Sequence, residues 1–302
     1  MTINLSDLTT ERRNERTKHI DQLSSIEILS LINEEDHLIA ESVKKEMKAI
    51  NNVVEVVCER FKKGGKLVYI GAGTSGRIGV LDAAEAPPTF RTDPEMIQAL
   101  IAGGDQAMFH AIEGAEDSKE QAKRDLERLN LSKDDVIIAI AASGRTPYAK
   151  GAVEYGNEIN AFTVGLSCNK GSELSALAQL AIEVEVGPEV ITGSTRMKAA
   201  TAQKLVLNMI STSSMILIGK IFENLMVDLK ASNHKLQERA KNITAAITGC
   251  SEEEVEQTLI KADFEVKPAI VMLKTGLSLV EAKEKLQQHR GFVRKAIESP
   301  SK

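Results

Sequence analysis

The chain has 302 residues, 42% of them hydrophobic and 27% charged, with a formal net charge of −5. Such a chain is long enough to bury its own core, and its balance excludes a disordered tail, a fibrous repeat and dependence on a disulfide or metal staple. Aromatic residues are only 3% and Trp is absent, so a bound carbohydrate is expected to be held by polar or charged groups rather than by stacked rings.

Asp7, Glu11, Arg12, Arg13, Glu15, Arg16 and Lys18 crowd the opening stretch, which has no apolar run, so no signal peptide is expected. Cys58, Cys168 and Cys250 are odd in number and far apart, a pattern that suits a reducing cytosol and forms neither a disulfide framework nor a zinc box. Residues 1–60 read as a helical segment. Ser24 and Glu27 have capping-box spacing before Ile28, Leu29, Leu31 and Ile32, and a second helix is predicted from about Glu35 to Lys63, stopped by Gly64-Gly65. With 8 basic and 12 acidic residues this segment carries 8 − 12 = −4, the wrong sign for a DNA-binding head.

From Lys66 the pattern changes. Leu67–Ile70, Met96–Ala102, Val136–Ile140, Ala161–Val164 and Ala181–Val184 are short apolar runs separated by helical stretches. Near-continuous apolar strands alternating with helices predict an α/β fold, a three-layer αβα sandwich with a parallel sheet over residues 61–228. The uncharged stretch of fifteen residues between Lys204 and Lys220 holds several Asn, Ser and Thr. It is too short and polar to cross a bilayer and reads as a buried or interface helix. Residues 229–302 read as a small bundle of three short helices, with capping boxes at Ser251/Glu254 and Ser278/Glu281, and between them Pro268 opening a helix and Gly276 closing it.

Ligands collect at the carboxyl ends of parallel strands, and three loops there are rich in Gly and hydroxyls. They are Gly71-Ala72-Gly73-Thr74-Ser75-Gly76-Arg77, Ser143-Gly144-Arg145-Thr146 and Gly193-Ser194-Thr195-Arg196. Glycine lets the backbone approach an anion, and the following helix directs free N–H groups at it. Each loop alone is equally well a tight turn with a helix cap; three in one sheet argue for a ligand. The first also fits G-x-G-x-x-G, but the acid expected to end the next strand is missing, and Ala86-Pro87-Pro88 is expected to interrupt the long helix that motif needs, so a nicotinamide or flavin cofactor is not expected.

Gly-Thr-Ser-Gly-Arg and Ala-Ser-Gly-Arg-Thr, as they stand in the first two loops, resemble the sugar isomerase (SIS) domain family, in which hydroxyl loops hold the phosphate of a phosphosugar. Two acidic segments add to them. Glu85 sits in Leu81-Asp82-Ala83-Ala84-Glu85-Ala86-Pro87-Pro88, with no Lys or Arg adjacent; apolar surroundings would raise its pKa and keep it protonated, as a general acid requires. The plainer reading is a solvent-facing glutamate on a helix. Glu113-Gly114-Ala115-Glu116-Asp117-Ser118 precedes another helix, where acids are favoured by the dipole alone.

Taken whole, the chain resembles the N-acetylmuramic acid 6-phosphate etherase family. The resemblance runs through Thr10-Glu11 with Arg13-Asn14, Ile20–Ser24, Tyr69–Arg77, Ala141–Tyr148, Gly187–Arg196 and Asn224–Leu229, from about residue 8 to 250. Ala86 stands where Cys is expected and Ala200 where Gly is expected; neither is a carboxylate. The resemblance implies removal of the D-lactyl ether by elimination and hydration, giving N-acetylglucosamine 6-phosphate and D-lactate, with no metal and no redox cofactor. It implies Glu85 as the acid and Glu116 as the second essential glutamate, assigned here as the base. Thr74, Ser75 and Ser143 are matched to the phosphate, with Gly73 and Gly144 in the same loops and Ser194 near the sugar. A cytoplasmic homodimer without nucleic-acid or membrane partners is implied too. A non-catalytic phosphosugar sensor and an aldose–ketose isomerase are the competing readings, and neither would release D-lactate.

Overall fold

The computed structural model describes residues 8–229 and 234–299. Asp7 of the charged opening stretch and the last three residues of the expected C-terminal region lie outside them. The chain divides into two compact units: one takes the chain up to Ala84 and then Glu95–Ser211, the other takes Glu85–Pro94 and the chain from Thr212.

The first unit is built on five parallel strands, β1 (Leu67–Gly71), β2 (Ile97–Ile101), β3 (Val136–Ile140), β4 (Phe162–Ser167) and β5 (Leu180–Glu183), in the order β2-β1-β3-β4-β5. All five of the predicted runs are strands. Val68, Ile70, Ile137 and Ala139 pack with Ala122 and Leu126 of α4 (Lys119–Glu127) and with Tyr148, Ala149 and Val153 of α5 (Pro147–Glu158). The opposite face carries Tyr69, whose hydroxyl donates to Asp82 of α3 (Gly73–Phe90) at 2.9 Å. Asn208 and Ser211 of α7 (Lys198–Leu217) donate to the other oxygen of that carboxylate at 2.6 and 3.1 Å. A buried carboxylate thus has its hydrogen bonds met by neutral donors, as burial demands. Helices on both faces make this the α/β sandwich that the alternation implies. A short α6 (Glu173–Leu177) links β4 to β5.

Three expectations are corrected. The N-terminal helices are α1 (Ser25–Lys45), with the capping box of Ser24 and Glu27, and α2 (Met47–Lys62), broken at Glu46 rather than near Glu35. Pro87 and Pro88 do not interrupt α3, which continues to Phe90. They fall in its last turns, where two missing N–H groups loosen little more than the helix end. Most of the first Gly-rich loop is not loop, since α3 begins at Gly73, two residues after β1 ends.

α7 covers most of the predicted uncharged helix. Val206, Leu207, Ile210 and Met215 are buried, while Ile216 and Leu217 at its end are exposed.

Among the described residues the second unit has five helices after α7 where three were expected: α8 (His234–Thr248), α9 (Glu252–Lys261), α10 (Val266–Thr275), α11 (Leu279–Gln288) and α12 (Val293–Glu298). Val255, Leu259, Ala269, Ile270, Leu286 and Val293 form its core. The capping boxes of Ser251 and Ser278 start α9 and α11, and Gly276 ends α10 with a φ of 74°. Its small antiparallel pair β6 (Ile221–Phe222) and β7 (Leu225–Met226) has no signal in the sequence reading.

Candidate active site

The chain leaves β1 for β2 on one side and crosses to β3 on the other, so the strand order reverses between β1 and β3. Open parallel sheets bind ligands outside the strand ends at such a switch point. Gly71 and Ile140 are register partners, so the first two Gly- and hydroxyl-rich loops leave from neighbouring strand ends. The third follows β5, at the sheet edge.

The turn from β1 into α3 is tight enough to require glycine. A Cβ on Gly76 would sit 2.6 Å from the Gly71 carbonyl oxygen, and Gly73 has a φ of 52°. The first residues of α3 therefore present their N–H groups at the sheet's carboxyl edge, an anion seat made by backbone. Thr74 and the buried Ser75 stand in this first turn. Across the switch point, the Ser143 hydroxyl accepts from Arg145 N–H at 3.2 Å, and Gly144 has a φ of 70°. Any side chain at Gly144 would run into Ser172, 2.3 Å from an added Cβ. The following helix α5 starts with Pro147 and gains no side-chain cap from Thr146, so its end is also open.

After β2, Gly103 to Asp117 wrap back toward this edge. A cavity of about 250 Å³ is lined by Ala72 just before α3, by Gly73 and Arg77 at its start, and by His110, Glu113 and Glu116 from the returning segment, with apolar side chains between them. Glu116 lies in a 3-10 turn (Ala115–Asp117) whose Ala115 packs against the sheet core. Of the residues singled out from sequence, Gly73 and Glu116 meet in this lining. Thr74, Ser75, Ser143, Gly144 and Ser194 are not among its lining residues. Glu85 falls in the second unit and is exposed. The apolar enclosure that its sequence neighbours suggested is absent, because α3 turns Ala83 and Ala86 inward and Glu85 outward.

Sequence reasoning missed the supports behind these loops. Asn169, just past β4, donates to the Ala142 carbonyl and to the Thr10 hydroxyl, both at 3.1 Å, and accepts from Thr9 N–H at 2.8 Å. The segment leading from β5 to the third loop is tied down by the Asn14 amide donating to Pro188 O and the Thr17 hydroxyl donating to Val190 O. Within it, Glu189 is fully buried and accepts from the N–H groups of Lys198 and Ala199 at the start of α7. Burial pushes its carboxyl above the ordinary value against those hydrogen bonds. Lys198 Nζ donates to Glu35 of α1 at 2.6 Å, an ion pair whose side chains are 1% and 3% exposed. Thr10 and Asn14 were visible within a matching motif, but their partners Asn169 and Pro188 are more than 150 residues away and carry no local signal.

Three family models match the chain. A glucokinase regulatory protein N-terminal SIS domain matches residues 48–157, a SIS domain matches 117–213, and the C-terminal lid domain of glucokinase regulatory protein matches 223–268. A phosphoheptose isomerase from Neisseria gonorrhoeae superposes with a TM-score of 0.48 at 17% identity, over 62% of this chain and 96% of that one, too loose a likeness to bear on function. The N-acetylmuramic acid 6-phosphate etherase of Geobacillus thermodenitrificans is 54% identical over 97% of this chain and 100% of its own length. That of Clostridium botulinum strain Langeland is 51% identical over 99% of both chains. Full-length identity at this level, on a sheet whose switch point carries the matching loops, places the chain in the N-acetylmuramic acid 6-phosphate etherase family.

Proposed function

We propose that the chain cleaves the D-lactyl ether of N-acetylmuramic acid 6-phosphate by elimination and hydration, releasing D-lactate and leaving N-acetylglucosamine 6-phosphate. The observation that carries this reading is the cavity that sets a carboxylate, Glu116, against the backbone cradle at Gly73. The phosphate sits at the first turn of α3, with Thr74 and Ser75, and Ser143 and Gly144 close it from the next loop. Ser194 serves the sugar end. In the open-chain sugar the C2 proton lies next to the aldehyde, and Glu116 removes it. The electron pair forms the C2–C3 double bond as the C3–O bond breaks, and Glu85 protonates the departing lactyl oxygen. Water then adds at C3 and a proton returns to C2. Proton transfer is all that this chemistry requires, so the reading includes neither metal nor redox cofactor.

The chain is proposed to work in the cytoplasm as a homodimer. Among the described residues no helix is long and apolar enough to cross a membrane. The first turns of α1 carry Ile26 and Leu29, 67% and 62% exposed, an apolar surface of the kind subunits bury.

Turnover in water enriched in heavy oxygen tests the pathway. Label is expected in the C3 hydroxyl of the sugar product, whereas label in lactate would mean attack on the side chain. For the phosphate seat, Ser75→Ala is expected to raise KM about tenfold with little change in kcat, the worth of one hydrogen bond to a charged group. Unchanged kinetics would reassign that hydroxyl to the helix.

A further inference from the structure

Arg77 is the lysine or arginine of the cavity lining, and proton transfer gives it no role, since a guanidinium stays charged. Its geometry gives it another. From the second turn of α3, Arg77 Nε donates to the Met108 carbonyl at 3.1 Å and Nη2 donates to the His110 carbonyl at 3.3 Å. Both acceptors lie in the segment that returns to the cavity with Glu113 and Glu116.

That segment has little else to fix it at this end. Its backbone hydrogen bonds around Met108 are local, from Ala107 to Gly104 O and from Phe109 and His110 to Gln106 O. Gly103, Gly104 and Gly114 adopt positive φ, Phe109 is 85% exposed, and the buried apolar side chain at the bend is the small Ala107, so packing gives the bend little area to hold it. At its far end Ala115 packs on the core. The planar fork of Arg77 grips two carbonyls at once, which a single-point ammonium cannot reproduce.

We propose that Arg77 is a positioning residue for the proton-abstraction step: its guanidinium is the strut that sets the Glu116 segment against the first turn of α3. This rests on the etherase reading for its chemistry and on geometry alone for the strut. The helix that seats the phosphate at its first turn then also fixes, from its second, the distance to the base, so the spacing between the two ends of the substrate is set within α3.

The test compares the full-length wild type with Arg77→Lys and Arg77→Met. Both are expected to lose kcat for lactate release by about a hundredfold while KM stays within about threefold, the pattern of a misplaced catalytic group rather than a lost ligand contact. Exchange of the C2 proton with solvent deuterium should fall in parallel. Amide hydrogen exchange over residues 105–117 should speed up, with the amides of β1 and β3 unchanged. A raised KM with unchanged kcat would make Arg77 a substrate ligand and overturn the proposal, as would wild-type amide exchange in the segment. If the wild type itself releases no lactate, the etherase reading fails, and the amide exchange still decides the strut.

Discussion

Glu85→Gln is expected to lower lactate release by about a thousandfold while the protein still binds the phosphosugar, because an amide has the shape of the acid but no acidic proton. The lactyl oxygen leaves as an alkoxide unless it is protonated, so the loss falls on bond cleavage rather than on binding. Glu116→Gln is expected to fall as far, for a different reason, since a carbon acid is not deprotonated by an amide. Solvent exchange of the C2 proton separates the two: it should persist in Glu85→Gln and vanish in Glu116→Gln. Full activity in Glu85→Gln removes the acid from the mechanism, and exchange lost in Glu85→Gln but kept in Glu116→Gln reverses the roles. Glu85 is exposed in the single chain, so its role cannot rest on burial in this fold. Its assignment rests on the family pattern, and the variant is the direct measurement of it.

Lys198→Met should destabilise the fold by about 3–5 kcal/mol in urea unfolding, the scale for stripping one partner from a buried ion pair. Burial opposes ionisation of Glu35, yet hydrogen bonding and charge from Lys198, helped by Asn14 and Arg16, hold its carboxyl below the ordinary 4.5. A depressed acid contributes stability that is fully present above its unfolded pKa and is lost as pH falls through its folded value. Without Lys198 only Arg16 and Asn14 remain to offset the burial penalty, and the folded pKa rises. The gap between variant and wild type should then be widest near neutral pH and narrow as acid protonates Glu35. The double variant Lys198→Met with Glu35→Leu should recover most of the loss. A gap below about 1 kcal/mol, or one flat with pH, would give this pair only the worth of a surface contact.

Signals confined to a few residues were legible in the sequence. Five apolar runs became five parallel strands, and Ser24, Ser251 and Ser278 with their glutamates three positions on became capping boxes. What failed were inferences that stretched local chemistry into three dimensions. Apolar neighbours of Glu85 in sequence are not its neighbours in space, because a helix sends successive residues 100° apart. Pro87-Pro88 looked like a stop but sits where α3 ends in any case. Arg77 was visible within a matching motif, yet its use depends on carbonyls thirty residues away. Lys198 and Glu35 are 163 positions apart, and nothing local announces a pair. The Gly- and hydroxyl-rich stretches after β1 and β3 were legible because strand ends and glycines are local, though most of the first proved to be helix, whereas the cavity needed the return of the chain after β2.

The span of those contacts also bears on how the protein is made. Thr9 and Glu35 emerge from the ribosome some 160 residues before Asn169 and Lys198, their respective partners. At translation speeds of roughly 5–20 residues per second the gap amounts to about ten to thirty seconds. Helix α1 can coil in that interval and meet α2, but the partners of Thr9 and Glu35 are not yet made, so the contacts of this stretch with the sheet unit close late. Factors that shelter nascent chains would meet it as an acidic, partly apolar helix waiting for its lysine.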